Sequence, residues 1–147
     1  MSLVFDFLRS LRNRFSVSGV AGAVAQFQRF ENDLHQDFFA LAAQSGKPRG
    51  LRWISCVWLP ELLIVVDQDR QLISAFASVN IGFEAVEGGD MEDVAEVSTI
   101  RDGSAVFHVR DGSWGSAGRV VFNMNPCQAA GHLMPGVVTV FHRDPNA

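Results

Sequence analysis

The chain has no tyrosine, a single lysine (Lys47) and two cysteines, Cys56 and Cys127. Each scarcity excludes something. Two cysteines make no disulfide framework, so the fold must rest on a packed core, and a reducing, cytoplasmic setting is expected. With Arg carrying nearly all the positive charge and a net charge of −4, no clustered basic surface is available for phosphate backbones. No nucleic-acid partner is therefore expected. No apolar run approaches the ~20 residues that span a bilayer. At the N-terminus, Arg9, Arg12 and Arg14 follow the apolar run of residues 3–8 instead of preceding it, the reverse of a secretory leader.

Catalytic and metal motifs are also missing. There is no nucleophile elbow, Walker loop or dinucleotide fingerprint, and no reaction can be read from the residues. The four histidines, His35, His108, His132 and His142, have no partner at metal-binding sequence spacing, so neither a metal site nor a cofactor is expected. The negative charge gathers in residues 84–96, with Glu84, Glu87, Asp90, Glu92, Asp93 and Glu96 and no base. The remainder carries ten acids against twelve bases. Such a run reads as a solvated loop rather than a cation site, because it lacks the alternating oxygen ligands of an EF-hand.

What is abundant is apolar mass. Apolar residues make up 48% of 147, with twelve Phe and three Trp, enough for one domain with a real core. Residues 1–15 carry Leu3, Val4, Phe7, Leu8, Leu11 and Phe15 at helical spacing, an amphipathic arm. It suits packing on the protein itself or on a partner; membrane association is the lesser alternative. Ser18 is a candidate N-cap for a long helix from Val20 to Gln44. Its apolar stripe is Val20, Val24, Phe27, Phe30, Leu34, Phe38 and Leu41, and the Gly-Lys-Pro-Arg-Gly run at 46–50 ends it.

From Leu51 the period changes to two. Strands are expected at 51–59 and 62–66 around a Pro60-Glu61 turn, then at 72–84, 94–100, 105–109, 118–124 and 137–142. The strand at 72–84 is the clearest. Ile73, Ala75, Ala77, Val79, Ile81 and Phe83 form an apolar face; Ser74, Phe76, Ser78, Asn80 and Gly82 form a small, mostly polar one. Arg-Asp-Gly-Ser occurs at 101–104 and again at 110–113, each read as a hairpin turn. Asn125, Pro126, Gln128 and Gly131 carry the start and stop signals of a one-turn helix.

The sum is a single α+β domain: a short helix and a long helix packed on a curved antiparallel meander of six to seven strands spanning 51–142. This order resembles cystatin-like and NTF2-like cones in architecture only, with no motif that ties the chain to either family.

Three places hold chemistry. Cys127 falls in the first turn of the 125–131 helix, where unpaired N–H groups favour a thiolate, with His132 just beyond as a base. The polar face of the 72–84 strand, Ser74, Phe76, Ser78 and Asn80, joined by His108 and Asn123 from later strands, suits the floor of a ligand pocket. The glycine-rich run 112–118 with Arg119 offers backbone amides to a phosphate, but it leads into a strand, where phosphate loops lead into a helix.

Several strands are apolar on both faces, yet only one long helix is available as a cover. A second copy would bury the remainder. The expected function is thus a non-catalytic small-ligand or protein-binding domain acting as a homodimer. The alternatives are a small enzyme using Cys127 or His108, and a membrane-peripheral protein held by its arm.

Overall fold

The computed structural model describes residues 16–86 and 100–146. The 1–15 arm, most of the acidic 84–96 run and all but Ile100 of the strand expected at 94–100 lie outside the described residues. Among the described residues, three helices pack on a six-stranded antiparallel sheet, the α+β arrangement expected from the change of period.

The helical segment 20–44 is two helices, α1 (Val17–Arg29) and α2 (Glu31–Gln44), joined at Phe30. Ser16, not Ser18, caps α1, its Oγ accepting from the Gly19 N–H at 2.8 Å. The bend at Phe30 turns the buried stripe. Val20, Phe27, Leu34, Phe38 and Ala42 face the sheet, whereas Phe30 and Leu41, expected in the stripe, stay exposed. Once α2 is seated by Leu34 and Phe38, the position one turn further is Ala42; Leu41 lies about 100° round the axis from it.

Strand β1 (Leu51–Asp67) runs straight through Pro60-Glu61, where a reversal was expected. The reason lies in the pairing with β2 (Leu72–Ala85). Trp58 stands opposite Val79 and Leu62 opposite Ala77, so Leu59, Pro60 and Glu61 bulge out against Ser78 alone. A bulge is where a strand tolerates proline, because the missing N–H is not needed by the ladder.

Strand β3 (Ile100–Arg110) likewise absorbs the first Arg-Asp-Gly-Ser. There Asp102 pairs with Asn80 and Gly103 with Val79, so no turn forms. Gly103 is needed for another reason: β5 (Val120–Phe122) passes so close that a Cβ would lie 2.9 Å from the Val121 carbonyl oxygen. The second copy does turn. Asp111 and Gly112 both take positive φ, 51° and 79°, and join β3 to β4 (Ser113–Gly115) as a two-residue hairpin. The same four residues thus have two conformations, chosen by their neighbours in space.

Helix α3 (Pro126–Leu133) is longer than the one turn expected. Asn125 and Gln128 form a complete capping box. Strand β6 (Val138–Arg143) then pairs with residues 62–66 of β1. The sheet order is β4-β3-β2-β1-β6, with β5 also on β3.

Two apolar layers result. On one face α1 and α2 cover the predicted stripe of β2, from Ile73 to Phe83, together with Leu62, Ile64, Ala105 and Phe107. Phe107 meets Phe27 edge-on at 5.3 Å and Phe38 at 5.8 Å between ring centroids. On the other face Leu63, Val65, Phe76 and Val106 are buried beneath Ala129, Ala130 and Met134. The apolar surplus on that face, the sequence-level argument for a second subunit, is therefore covered within the chain by α3.

Candidate functional site

The polar face of β2 lies in this second layer. Ser74 is fully buried and shares a 2.7 Å hydrogen bond with Nδ1 of His108, its cross-strand neighbour. Phe76 is sealed under α3, while Ser78 and Asn80 further along are half-buried. Asn123 is exposed and in the left-handed region, turning the chain from β5 toward α3, with its N–H donating to the Asp102 carbonyl. The structure thus joins Ser74 to His108 and spreads the other four along the layer. With no access to solvent, the Ser74 hydroxyl holds the imidazole in place instead of acting as a nucleophile. Burial, then the charges of Arg110 and Arg119, push the His108 pKa down, so the ring is held neutral.

His108 also lines a cavity of about 350 Å³ with Arg110, Ser113, Ser116 and the 115–117 backbone. The glycine-rich run forms its wall; Gly112 makes the hairpin turn at positive φ, and Gly118 serves packing. Gly118, at φ 78°, passes so close to α2 that a Cβ would lie 2.7 Å from the Ala42 nitrogen. Trp114 is anchored by an Nε1–H bond to the Ala23 carbonyl at 2.8 Å and by an edge contact to Phe27.

Cys127 occupies the first turn of α3, as expected, and is exposed. His132 is exposed in the last turn of the same helix. Five residues on a helix place two side chains about 140° apart around the axis and about 7.5 Å along it, so the two do not share a face. The groups that do converge on Cys127 are Glu61 and His142. One ligating atom from each of the three lies within 4.8 Å of the other two. His142 Nε2 and Glu61 Oε2 are in contact at 2.9 Å. Partial desolvation, then the nearby Glu61 carboxylate, push the thiol pKa up, opposite to the activation expected at a helix N-terminus. Glu61 and His142 were not legible as site residues, because their meeting depends on the bulge and on β6 register.

A third concave region lies beside β1. Strand β6 pairs only with residues 62–66, and β2 takes the opposite edge. Among the described residues, no strand pairs with the second edge of residues 51–60. Along this stretch Ile54, Val57 and Leu59 are 52%, 56% and 36% exposed. Helix α2 runs beside it, and the two enclose an open cleft of about 570 Å³. Its helix wall is Asn32, His35, Gln36 and Phe39; its strand wall is Ile54, Ser55, Cys56 and Trp58. His35 stacks flat on Trp58, with 3.7 Å between centroids and 3° between planes. Burial drives the Cys56 thiol up to about 12 and lowers the His35 pKa. A thiol held protonated is a weak nucleophile, so the Cys56 side chain contributes surface to the cleft.

No helix among the described residues is long and apolar enough to cross a membrane. No family model, curated protein or solved structure matches the chain.

Proposed function

We propose that the protein is a non-catalytic binding domain that pairs, edge to edge, with a second copy of itself through residues 51–60. The observation that carries this reading is the edge of β1 at residues 51–60, which has no partner strand among the described residues. A free row of N–H and C=O groups is a template for another strand, and native sheets shield such edges with charge, proline or a covering element. Here Arg52 and Pro60 stand near the two ends, and between them the edge carries exposed Ile54, Val57 and Leu59 beside an open cleft.

Strand addition takes its affinity from main-chain bonds and its specificity from side-chain pockets alongside the edge. The β1–α2 cleft supplies such a pocket. Antiparallel pairing about a two-fold axis satisfies the same ten-residue edge on both copies at once, so one sequence specifies both partners. Pro60, which has no N–H to donate, sets the end of the paired segment.

The test is the solution mass of the full chain by light scattering on a sizing column. Twice the chain mass is expected, and the double substitution Ile54→Lys with Val57→Lys is expected to give the monomer mass with an unchanged circular dichroism spectrum. An intact chain that is monomeric at high concentration refutes the reading. If such a monomer is stabilised by small anions, and Arg110→Ala removes the effect, the binding role passes to the His108 cavity.

A further inference from the structure

The convergence of Glu61, Cys127 and His142 has a chemistry of its own, independent of how copies pair. The three come from separate elements. Glu61 is the last residue of the β1 bulge, Cys127 belongs to the first turn of α3, and His142 lies on β6, opposite Leu63. Positions 61, 127 and 142 form no motif, and the fold alone assembles them.

We infer that Glu61, Cys127 and His142 form a three-ligand site for a borderline divalent transition metal of the Zn²⁺ class. One carboxylate oxygen, one imidazole nitrogen and one sulfur make a mixed donor set. Thiolate and imidazole select zinc-like ions over the hard cations Mg²⁺ and Ca²⁺, which take oxygen. Three protein ligands leave one tetrahedral position for water or an exogenous ligand, which distinguishes this site from a closed structural one.

Ligand spacing agrees. With metal–ligand bonds of about 2.0–2.3 Å, tetrahedral donors stand roughly 3.3–3.8 Å apart. The three atoms here lie within 4.8 Å of one another, and the Glu61–His142 pair, in direct contact at 2.9 Å, opens by a few tenths of an ångström to admit the ion. Small side-chain rotations bring all three to that spacing. On binding, the Cys127 thiol gives its proton to solvent and the sulfur coordinates as thiolate.

The supports of the ligands are fixed. Arg143 clamps the bulge, its Nε–H donating to the Pro60 carbonyl at 2.7 Å while its Nη2 holds Glu31 at 3.0 Å. The capping box fixes the first turn of α3, and with it the Cys127 backbone. Preorganised backbone under each ligand is what a binding constellation requires.

The test is a Co²⁺ titration of the reduced, full-length protein followed by absorption spectroscopy. Thiolate coordination adds a ligand-to-metal charge-transfer band in the near ultraviolet, and low-symmetry four-coordination gives intense visible bands. Both are expected at one Co²⁺ per chain, displaced by Zn²⁺ and not by Mg²⁺. Cys127→Ser is expected to abolish the ultraviolet band. Glu61→Gln and His142→Ala are expected to weaken Co²⁺ binding by at least about tenfold. Cys56→Ser, which alters the thiol in the other cleft, is expected to keep the spectrum. The inference is overturned if the wild-type chain gives no band, if the band survives Cys127→Ser, or if neither Glu61→Gln nor His142→Ala weakens binding. Cys127 is exposed and Glu61→Gln is nearly isosteric, so both variants keep the test independent of folding.

Discussion

Gly112 and Gly118 have almost the same backbone, with φ of 79° and 78°, in two different surroundings. A Cβ at Gly112 meets nothing within 4 Å. At Gly118 it would lie 2.7 Å from the Ala42 nitrogen and 2.9 Å from its Cα, both in α2. Substituting each by alanine therefore separates conformational strain from steric exclusion. In the left-handed region a side chain costs about 1–2 kcal/mol. Alanine recovers about 0.4–1 kcal/mol by restricting the unfolded chain. Gly112→Ala is thus expected to destabilise by only about 0.5–1 kcal/mol once these terms offset each other. Gly118→Ala carries the same strain plus an overpacking cost of about 1–3 kcal/mol, because a helix backbone cannot rotate aside as a side chain can. The difference between the two variants isolates that second quantity. Urea unfolding at one fixed protein concentration gives both, and a gap of 2 kcal/mol corresponds to roughly 4–8 °C in melting temperature for a chain of this size. Equal costs at the two positions would refute the close approach of the 116–119 segment to α2, and with it the packing role of Gly118.

Two further outcomes follow from the buried groups. His35 and His108 both have pKa values lowered by burial from the ordinary 6.5, so between the folded and unfolded values the unfolded chain binds more protons. Stability is expected to be flat above about pH 7 and to fall as pH drops through 6.5; the His35→Asn, His108→Asn double variant should flatten that slope in denaturant midpoints measured from pH 8 to 5.5, and an unchanged slope would refute the assignment. Cys56 is half-buried with its thiol pushed up to about 12, whereas Cys127 is exposed. Iodoacetamide at pH 8 is expected to label Cys127 much faster than Cys56 in the native protein and both residues alike in denaturant, read by peptide mass; equal native rates would contradict the burial that holds the Cys56 thiol protonated.

The alternation at 72–84 specifies β2 and both of its faces, because a period of two can be buried on one side only by extended chain. The capping pattern at Asn125–Gln128 specifies α3, since those groups bond to their own backbone. Such features are local, and local chemistry decides them.

Elsewhere the same residue types had two outcomes, and the choice was made across space. Pro60 reads as a turn but sits in a bulge, because β2 continues to pair on either side of it. Asp102-Gly103 reads as a hairpin but stays extended between β2 and β5, whereas Asp111-Gly112 turns where β4 folds back on β3. The apolar surplus on the second face reads as an interface, yet α3, which follows the strands in the chain, folds back to cover it.

Composition and period therefore determined the class, the major elements and the helix-covered face of the sheet. Only tertiary structure decided which stretch of β1 each neighbouring strand pairs with and which side chains meet. Among the described residues the edge at 51–60 has no partner strand because β6 is short and pairs beyond the bulge. Glu61, Cys127 and His142 converge because that bulge, the seat of α3 and the β6 register act together. Register and bulge placement are set by how whole faces fit, and a one-residue slip reverses every side chain.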